Sequence, residues 1–327
     1  MSATTKAIRI ASTGGPEVME LVDVTLADPG PGEVLVRHDA IGLNFVEIYH
    51  RSGLYPVTLP SGMGSEGAGV IEAVGPEVSG FKPGDRVAYA TSPLGSYSQA
   101  RVMPANVLVK LPDAIDTRQA AAMMLQGMTA CYLVTRTYVV KPGDTILLHA
   151  AAGGVGLILS QWAKHIGARV IGTVGSEEKA ALARALGCDE IILYRTEDIV
   201  SRVKELTGGK GVNVVYDSVG KDTFDASLDS LKPLGMLVSF GNASGPPPAF
   251  NPLLLGTKGS LFLTRPSLFH YAAERADLEA LAKALFDVVS SGAVKIEIKQ
   301  TYPLAEATTA HLDLEARRTT GSTILLP

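Results

Sequence analysis

Thr145–Gly167 reads TILLHAAAGGVGLILSQWAKHIG, and the fold turns on it. A short apolar run (Ile146, Leu147, Leu148) leads into three alanines, then Gly153-Gly154-Val155-Gly156, then an apolar pattern at helical spacing. That is strand, tight turn, helix. Such a turn presents the N–H groups of a helix amino end to an anion. Its glycines let a pyrophosphate approach the backbone and let helix and sheet pack closely. In the strict G-x-G-x-x-G fingerprint the first glycine place is taken here by Ala151, so the turn alone also fits a packing turn without a ligand.

The residues that follow favour the ligand reading. Ala168–Val174 is a second β-rich run where a βαβ unit needs its next parallel strand. Helical and strand patterns then alternate: helix Glu177–Leu186, strand Glu190–Leu193, helix Glu197–Thr207, strand Val212–Tyr216, helix Thr223–Leu231, strand Met236–Phe240. Regular alternation predicts a doubly wound parallel sheet of α/β class. A glycine turn after the first strand of such a sheet lies where dinucleotides bind.

Upstream the texture changes. Lys6–Ser12 and Glu17–Val24 read as two strands around a turn at Gly14–Pro16, and Val34–Ala40 alternates like a half-buried antiparallel strand. Gly62–Arg86 is dense with glycine around short strands at Val70–Val74 and Arg86–Tyr89, the pattern of a compact β-rich domain. Gln119–Thr137 is a helical pattern entering the second domain. Beyond Phe240 come a stiff loop, a β run at Ser260–Thr264, an amphipathic helix at Asp277–Ser290 and a final strand at Thr323–Leu326.

The bulk properties exclude several classes. At 327 residues, 46% hydrophobic and 19% charged, the chain suits a two-domain globular protein. A net charge of −4, with Lys and Arg scattered, gives no field favouring nucleic acid or an anionic membrane. No apolar stretch reaches transmembrane length, and MSATTKAIRI lacks a signal peptide's apolar core, so a cytoplasmic location is expected. Two cysteines, Cys131 and Cys188, make neither a disulfide framework nor a zinc cluster and read as small buried hydrophobes.

The run GSEGAGVIEAVGPEVSGFKPGDRVA, the HAAAGGVG turn, and VVYDSVG followed by VSFGN together resemble the medium-chain dehydrogenase/reductase superfamily. Within it the chain is similar to the zinc-free, zeta-crystallin-like NADPH:quinone oxidoreductases of bacterial type. The likeness runs from the amino terminus to the last strand. It implies a discontinuous GroES-like catalytic domain (residues 1–125 and 267–327), a Rossmann-type NADPH-binding domain (126–266) and an active cleft between them. It also implies a homodimer joined through the edge of the cofactor sheet at Ser260–Thr264.

Zinc alcohol dehydrogenases of that superfamily place a cysteine ligand where this chain has Asn44, and a histidine where it has Ser65 of Gly64-Ser65-Glu66. A neutral amide and a hydroxyl are poor replacements for thiolate and imidazole, so a metal-free site is expected. Oxidising an alcohol needs a metal or another group to hold the alkoxide. Reducing a quinone asks less, because charge spreads over the ring and water can protonate it; the protein mainly positions the reactants. The resemblance puts Asn44, Tyr49, Tyr55 and Thr129 around the substrate and nicotinamide, though loop packing also accounts for the two tyrosines.

For the cofactor, an NAD enzyme normally closes its second strand with an acid that holds the ribose diol. Here that strand ends Thr173-Val174-Gly175-Ser176, so a 2′-phosphate meets no repulsion, and Lys179 can reach it as a point charge. Glu177 and Glu178 lie beside that place; they either oppose the phosphate or stabilise the helix amino end. Gly153, Gly154, Val155, Gly175, Ser176 and Lys179 are thus the expected cofactor residues. The resemblance adds Tyr194 and Arg317. Ser218, Phe240 and Asn242 fall at carboxyl ends of later strands, Asp217 reads equally as a helix cap, and Arg265 is either a cofactor or an interface residue. Three functions compete: quinone reduction by NADPH, reduction of an activated C=C bond, and a binding or structural role, of which the acidic balance disfavours RNA binding.

Overall fold

A strand covered on both faces reads as an unbroken apolar run, whereas one with a wet face alternates. Ile146-Leu147-Leu148 is of the first kind and fully buried. The computed structural model describes residues 4–91 and 93–327. Its contacts divide the chain into two compact units: Met1–Met128 with Ala272–Ser290 and Ile296–Pro327, and Thr129–Tyr271 with Ser291–Lys295.

The first unit opens with β1 (Thr4–Ile10), β2 (Met19–Thr25), β3 (Glu33–Leu43), α1 (Phe45–Ser52), β4 (Ser61–Gly62), β5 (Glu66–Val74), β6 (Arg86–Ala90), β7 (Ala100–Pro104), β8 (Val109–Lys110), α2 (Thr117–Ala121) and the start of α3 (Met124–Tyr132). The second holds β9 (Thr145–Leu148), α4 (Gly154–Ile166), β10 (Arg169–Val174), α5 (Glu177–Ala185), β11 (Glu190–Leu193), α6 (Ile199–Leu206), β12 (Val212–Asp217), α7 (Phe224–Asp229), β13 (Leu231–Ser239), α8 (Leu253–Thr257), β14 (Phe262–Thr264) and α9 (Leu268–Tyr271). The chain then returns to the first unit with α10 (Arg275–Ser290), β15 (Ile298–Pro303), α11 (Ala307–Glu315) and β16 (Ser322–Leu326).

In the second unit six strands, all parallel, run in the order β11-β10-β9-β12-β13-β14. The doubly wound α/β sheet expected from the alternation is present. Its direction of winding reverses between β9 and β12, which puts the glycine turn at the switch point where such sheets take ligands. Leu147, Ile171, Val215 and Leu237 form the sheet's buried core, each stabilising it by roughly 1.5–3 kcal/mol.

The first unit is β-rich: a sheet in the order β15-β16-β3-β5-β6-β8, with β7 also on β3, and a smaller one, β2-β1-β4. Its returning tail is fixed by a buried cation. Arg51 on α1, 2% exposed, binds Glu315 at 2.6 Å and His311 at 3.1 Å on α11. No helix among the described residues is long and apolar enough to cross a membrane.

Several element boundaries depart from the sequence reading. β3 extends to Leu43 because β16 pairs with its end, Thr323 opposite Leu43. A short helical turn at Pro16–Val18 replaces the start of the strand expected from Glu17. The single helical pattern Gln119–Thr137 breaks into α2, α3 and a π turn at Leu133–Thr137. There Tyr138 N–H donates to Leu133 O, five residues back, and the Thr135 hydroxyl donates to Cys131 O. α7 is shorter than Thr223–Leu231, and β13 begins at Leu231 because Val212 pairs with Leu231 before a bulge. The run expected at Ser260–Thr264 is a strand only from Phe262, since Ser260 has φ 55°.

Candidate active site

At the glycine turn, Gly153 caps α4 and Gly167 ends it at φ 102°. A Cβ on Gly156 would lie 2.4 Å from Ala150 O and 2.8 Å from Ala151 O, so only glycine lets the helix start this close to the strand end. The methyl of Ala151, in the fingerprint's first glycine place, is accommodated from the neighbouring strand. A Cβ on Gly172 of β10 would lie 2.8 Å from Ala151 Cβ and 2.7 Å from Cys188 Sγ. The departure from the fingerprint is therefore compensated, and Cys188 is the small packed group it was expected to be. By helix geometry the first N–H groups of α4, from Gly154 and Val155 onward, have no partner within the helix and suit a phosphate.

The end of β10 gathers the next group. Ser176 caps α5, its hydroxyl accepting from Lys179 N–H at 3.4 Å, and Glu177 and Glu178 are exposed on the first turn. A Cβ on Gly175 would lie 2.5 Å from the Tyr194 hydroxyl and 3.4 Å from Arg195 Nε. Gly175, Ser176, Lys179 and Tyr194 thus share one strand-end region with Arg195, an exposed cation that the sequence reading passed over. Its signal was available: it follows Tyr194 directly.

Beneath the turn lies a closed polar chain. His149, fully buried, is 3.0 Å from Thr173 Oγ1 and 3.0 Å from Ser227 Oγ. Asp217 accepts from Val219 N–H, Gly220 N–H and the hydroxyls of Thr223 and Ser227, at 2.7–3.0 Å. Of its two readings, shaping the turn into α7 is the one its partners serve. Burial pulls the His149 imidazole down, keeping it neutral. Although it contains Ser, His and Asp, this chain is buried and fully paired, a tie between strand ends.

Further along the carboxyl edge, Phe240 N–H donates to Asp217 O at 2.7 Å. Ser218 is half-buried, its carbonyl 2.5 Å from where a Gly241 Cβ would sit. With its amide turned to suit both neighbours, Asn242 donates to Gly241 O and accepts from Arg265 Nη2 at 3.2 Å. Arg265 Nη1 also donates to Ser239 O at 2.8 Å, so this arginine ties the end of β14 to that of β13.

In the first unit the expected residues lie along α1: Asn44 is its N-cap, Tyr49 is on it and Tyr55 just beyond it. Tyr49 is buried, and its ring meets Tyr55 edge-on at 5.1 Å between centroids. Asn44, 5% exposed, is held at both nitrogens by carboxyl groups. Its backbone N–H donates to Glu47 Oε2 and its Nδ2 to Glu66 Oε2, each at 2.7 Å. Its Oδ1 accepts from Gln126 Nε2 at 2.9 Å, and Gln126 Oε1 accepts from the Ser322 hydroxyl at 2.7 Å. Glu47 also accepts from the backbone and hydroxyl of Ser65, and Glu66 from Leu125 N–H at 2.7 Å. The break between α2 and α3 creates the helix amino end that meets Glu66. Thr129 lies three residues after Gln126 on α3, and Arg317 follows α11, exposed, at φ 57°.

Glu47 and Glu66 are fully buried. Burial pushes Glu47 up to about 7 against the hydrogen bonds it accepts from Ser65, Asn44 and its own backbone, and Glu66 up to about 8, the neighbouring Glu47 adding to its rise. The sequence reading named Glu66 only as a motif marker and missed Glu47, Gln126 and Ser322. A groove of about 910 Å³ elsewhere in this unit, between Phe81 and Phe286, includes none of these residues.

The donor set does not fit zinc. Asn44 and Ser65 are neutral, and both are engaged by glutamates rather than offering a thiolate and an imidazole. No group of three or more His, Cys, Asp or Glu able to hold a metal occurs among the described residues.

Two family models match the chain: an alcohol dehydrogenase GroES-like domain over residues 30–113 and a zinc-binding dehydrogenase over 154–285. A quinone oxidoreductase of Pseudomonas aeruginosa is 58% identical, covering 98% of this chain and 99% of that protein. A 2-haloacrylate reductase of a Burkholderia species is 48% identical over 97% of this chain and 98% of its own. The crystal structure of Escherichia coli quinone oxidoreductase complexed with NADPH superposes with a TM-score of 0.96 at 50% identity, covering 99% of this chain and 100% of that one. Likeness of this extent, over both units and without the zinc ligands, makes the chain a member of the quinone oxidoreductase family of the medium-chain dehydrogenase/reductase superfamily.

Proposed function

We propose that this protein reduces small quinones with NADPH, without a metal. The carrying observation is the acid-free end of β10, with Lys179, Tyr194 and Arg195 about it, in a chain half identical to a quinone oxidoreductase whose structure holds NADPH. The amino end of α4 and Gly153-Gly154 take the pyrophosphate, and Ser176, Lys179, Tyr194 and Arg195 take the 2′-phosphate. When bound, NADPH supplies a hydride. Ser218, Phe240, Asn242 and Thr129 belong with the nicotinamide half, Arg317 with the cofactor's outer contacts, and Arg265 supports Asn242. Asn44 offers hydrogen bonds to the substrate oxygen or the ribose, and Tyr49 and Tyr55 offer flat apolar faces. The quinone takes up the hydride and one proton, which water can supply.

A second reading is reduction of an activated C=C bond, which the 48% identical 2-haloacrylate reductase favours. It calls for a proton donor, Tyr49 or Tyr55. The deciding experiment is NADPH consumption by chelator-treated protein with benzoquinones, alkenals, enoyl thioesters and haloacrylates in parallel. Quinone turnover is expected; turnover confined to alkenes would replace the first reading, and none with any acceptor would end both. A homodimer through the β14 edge, where Phe262 is 55% exposed, and a cytoplasmic location complete the proposal. Sedimentation of Phe262→Glu tests the dimer: a shift to monomer is expected.

A further inference from the structure

The hydrogen bonds around Asn44 have a direction. Ser322 Oγ donates to Gln126 Oε1, Gln126 Nε2 to Asn44 Oδ1, and Asn44 Nδ2 to Glu66 Oε2, while the other oxygen of Glu66 accepts from Leu125 N–H. Three members are indifferent to that direction. A hydroxyl donates or accepts, and a primary amide turned over presents the same shape with donor and acceptor exchanged. Glu66 in its ionised form differs, because its two oxygens then only accept, both face N–H donors and one of those is a fixed backbone amide. As burial pushes Glu66 up to about 8, the kinetic comparison below is made at about pH 9, where it carries its charge. Its carboxyl is also wedged in place: a Cβ on Gly42 would lie 2.1 Å from Glu66 Oε2 and 2.5 Å from Ala121 O.

Asn44 spends one of its two N–H bonds on Glu66 and one of its two lone pairs on Gln126. One N–H and one lone pair remain, and turning the amide over exchanges their places. A ligand oxygen positioned to receive the N–H would then face a lone pair. We propose that Glu66 is a positioning residue that sets the polarity of the Ser322–Gln126–Asn44 chain and so decides which edge of Asn44, donor or acceptor, the reactants meet. This rests on the reductase reading above, in which Asn44 touches the reactants.

The test exchanges the two ends of the carboxyl–amide pair. In Glu66→Gln, the new Oε1 must accept from Leu125 N–H, so its NH2 faces Asn44 and the chain reverses through to Ser322. In Gln126→Glu, Asn44 lies between two carboxyl groups. In the double variant every hydrogen bond is made again, with both links to Asn44 reversed. The amide now at position 66 donates to Asn44, Asn44 donates to the carboxyl now at position 126, and Ser322 donates to that same carboxyl. The expected result is that the double variant regains the melting temperature lost in Gln126→Glu, while quinone kcat stays about tenfold to a hundredfold below the parent. NADPH affinity from direct titration should change less than about threefold, a smaller effect than that on kcat. A purely structural network predicts that turnover recovers with stability, and that result overturns the proposal. So does parental kcat in Glu66→Gln.

A readout independent of turnover separates this from the reductase reading. With 15N-asparagine labelling, the Asn44 side-chain NH2 signal, assigned by its loss in Asn44→Asp, should move in Glu66→Gln as its partner changes from carboxyl to amide. An unmoved signal overturns the polarity proposal. Parent protein that ignores NADPH and quinones overturns the reductase reading instead, and the signal still decides the direction of the chain.

Discussion

Two buried polar networks, one in each unit, handle a carboxyl group in opposite ways. Beneath the glycine turn, Asp217 accepts from two backbone N–H groups and two hydroxyls, with His149 closing the chain. In the first unit Glu47 and Glu66 are buried near each other, and each faces mostly N–H donors. Hydroxyl protons rotate to suit a changed partner; backbone N–H groups do not. The first arrangement is a tolerant structural tie, whereas the second fixes the orientation of Asn44, an amide proposed to touch the reactants.

The largest test of that contrast is Asp217→Ala, which strands the Val219 and Gly220 N–H groups and should destabilise the protein by about 3 kcal/mol in urea denaturation. Asp217→Asn keeps an acceptor for the N–H pair, and its NH2 can donate to hydroxyls that turn, so it should cost only about 1 kcal/mol. Equal losses for the two would erase the distinction drawn here.

Gly156→Val comes next. Its side chain has no room beside Ala150 O and Ala151 O, so NADPH affinity by fluorescence titration should fall about a hundredfold, with overpacking costing about 1–3 kcal/mol. Affinity retained in that variant would separate the turn from the cofactor.

A pH series sharpens the comparison further. Glu47 and Glu66 are pushed up from 4.5 to about 7 and about 8, so in that window the folded chain binds more protons than the unfolded one, and stability is lost as pH rises. His38 and His311, pushed down from 6.5 to about 4 and about 3 by burial, and His50 and His149, lowered likewise, act in the opposite sense below 6.5. Four histidines against two glutamates put the expected stability maximum near pH 6.5. The alkaline side should fall by up to about 1.4 kcal/mol per pH unit for each proton released. Glu66→Gln should flatten that side alone, read as melting temperature against pH; an unchanged slope would mean that Glu66 does not titrate there.

The smallest expected effect is Lys179→Ala or Arg195→Ala. Each should weaken NADPH binding about tenfold while changing NADH by less than about twofold, measured by parallel titrations. Equal losses for both cofactors would remove these cations from the 2′-phosphate.

Much of this protein is written in local sequence. The period of apolar residues marks most strands and helices of the parallel sheet, the glycines after Leu148 mark its ligand edge, and the missing acid after Val174 is read directly. Each of these depends on neighbours within a few residues, where the backbone's own geometry decides. What lay outside such a window needed closure of the discontinuous unit. β3 reaches Leu43 only because a strand from the far end of the chain pairs with it. The helix around Ala122 breaks where its new amino end meets Glu66. Ser322 meets Gln126 across 196 residues, and Gln126 meets Asn44 across 82. A buried amide or carboxyl must find its partner wherever the fold brings one, so the identity of the residues around Asn44 was legible in the sequence, but their hydrogen-bond order was decided only by the tertiary structure.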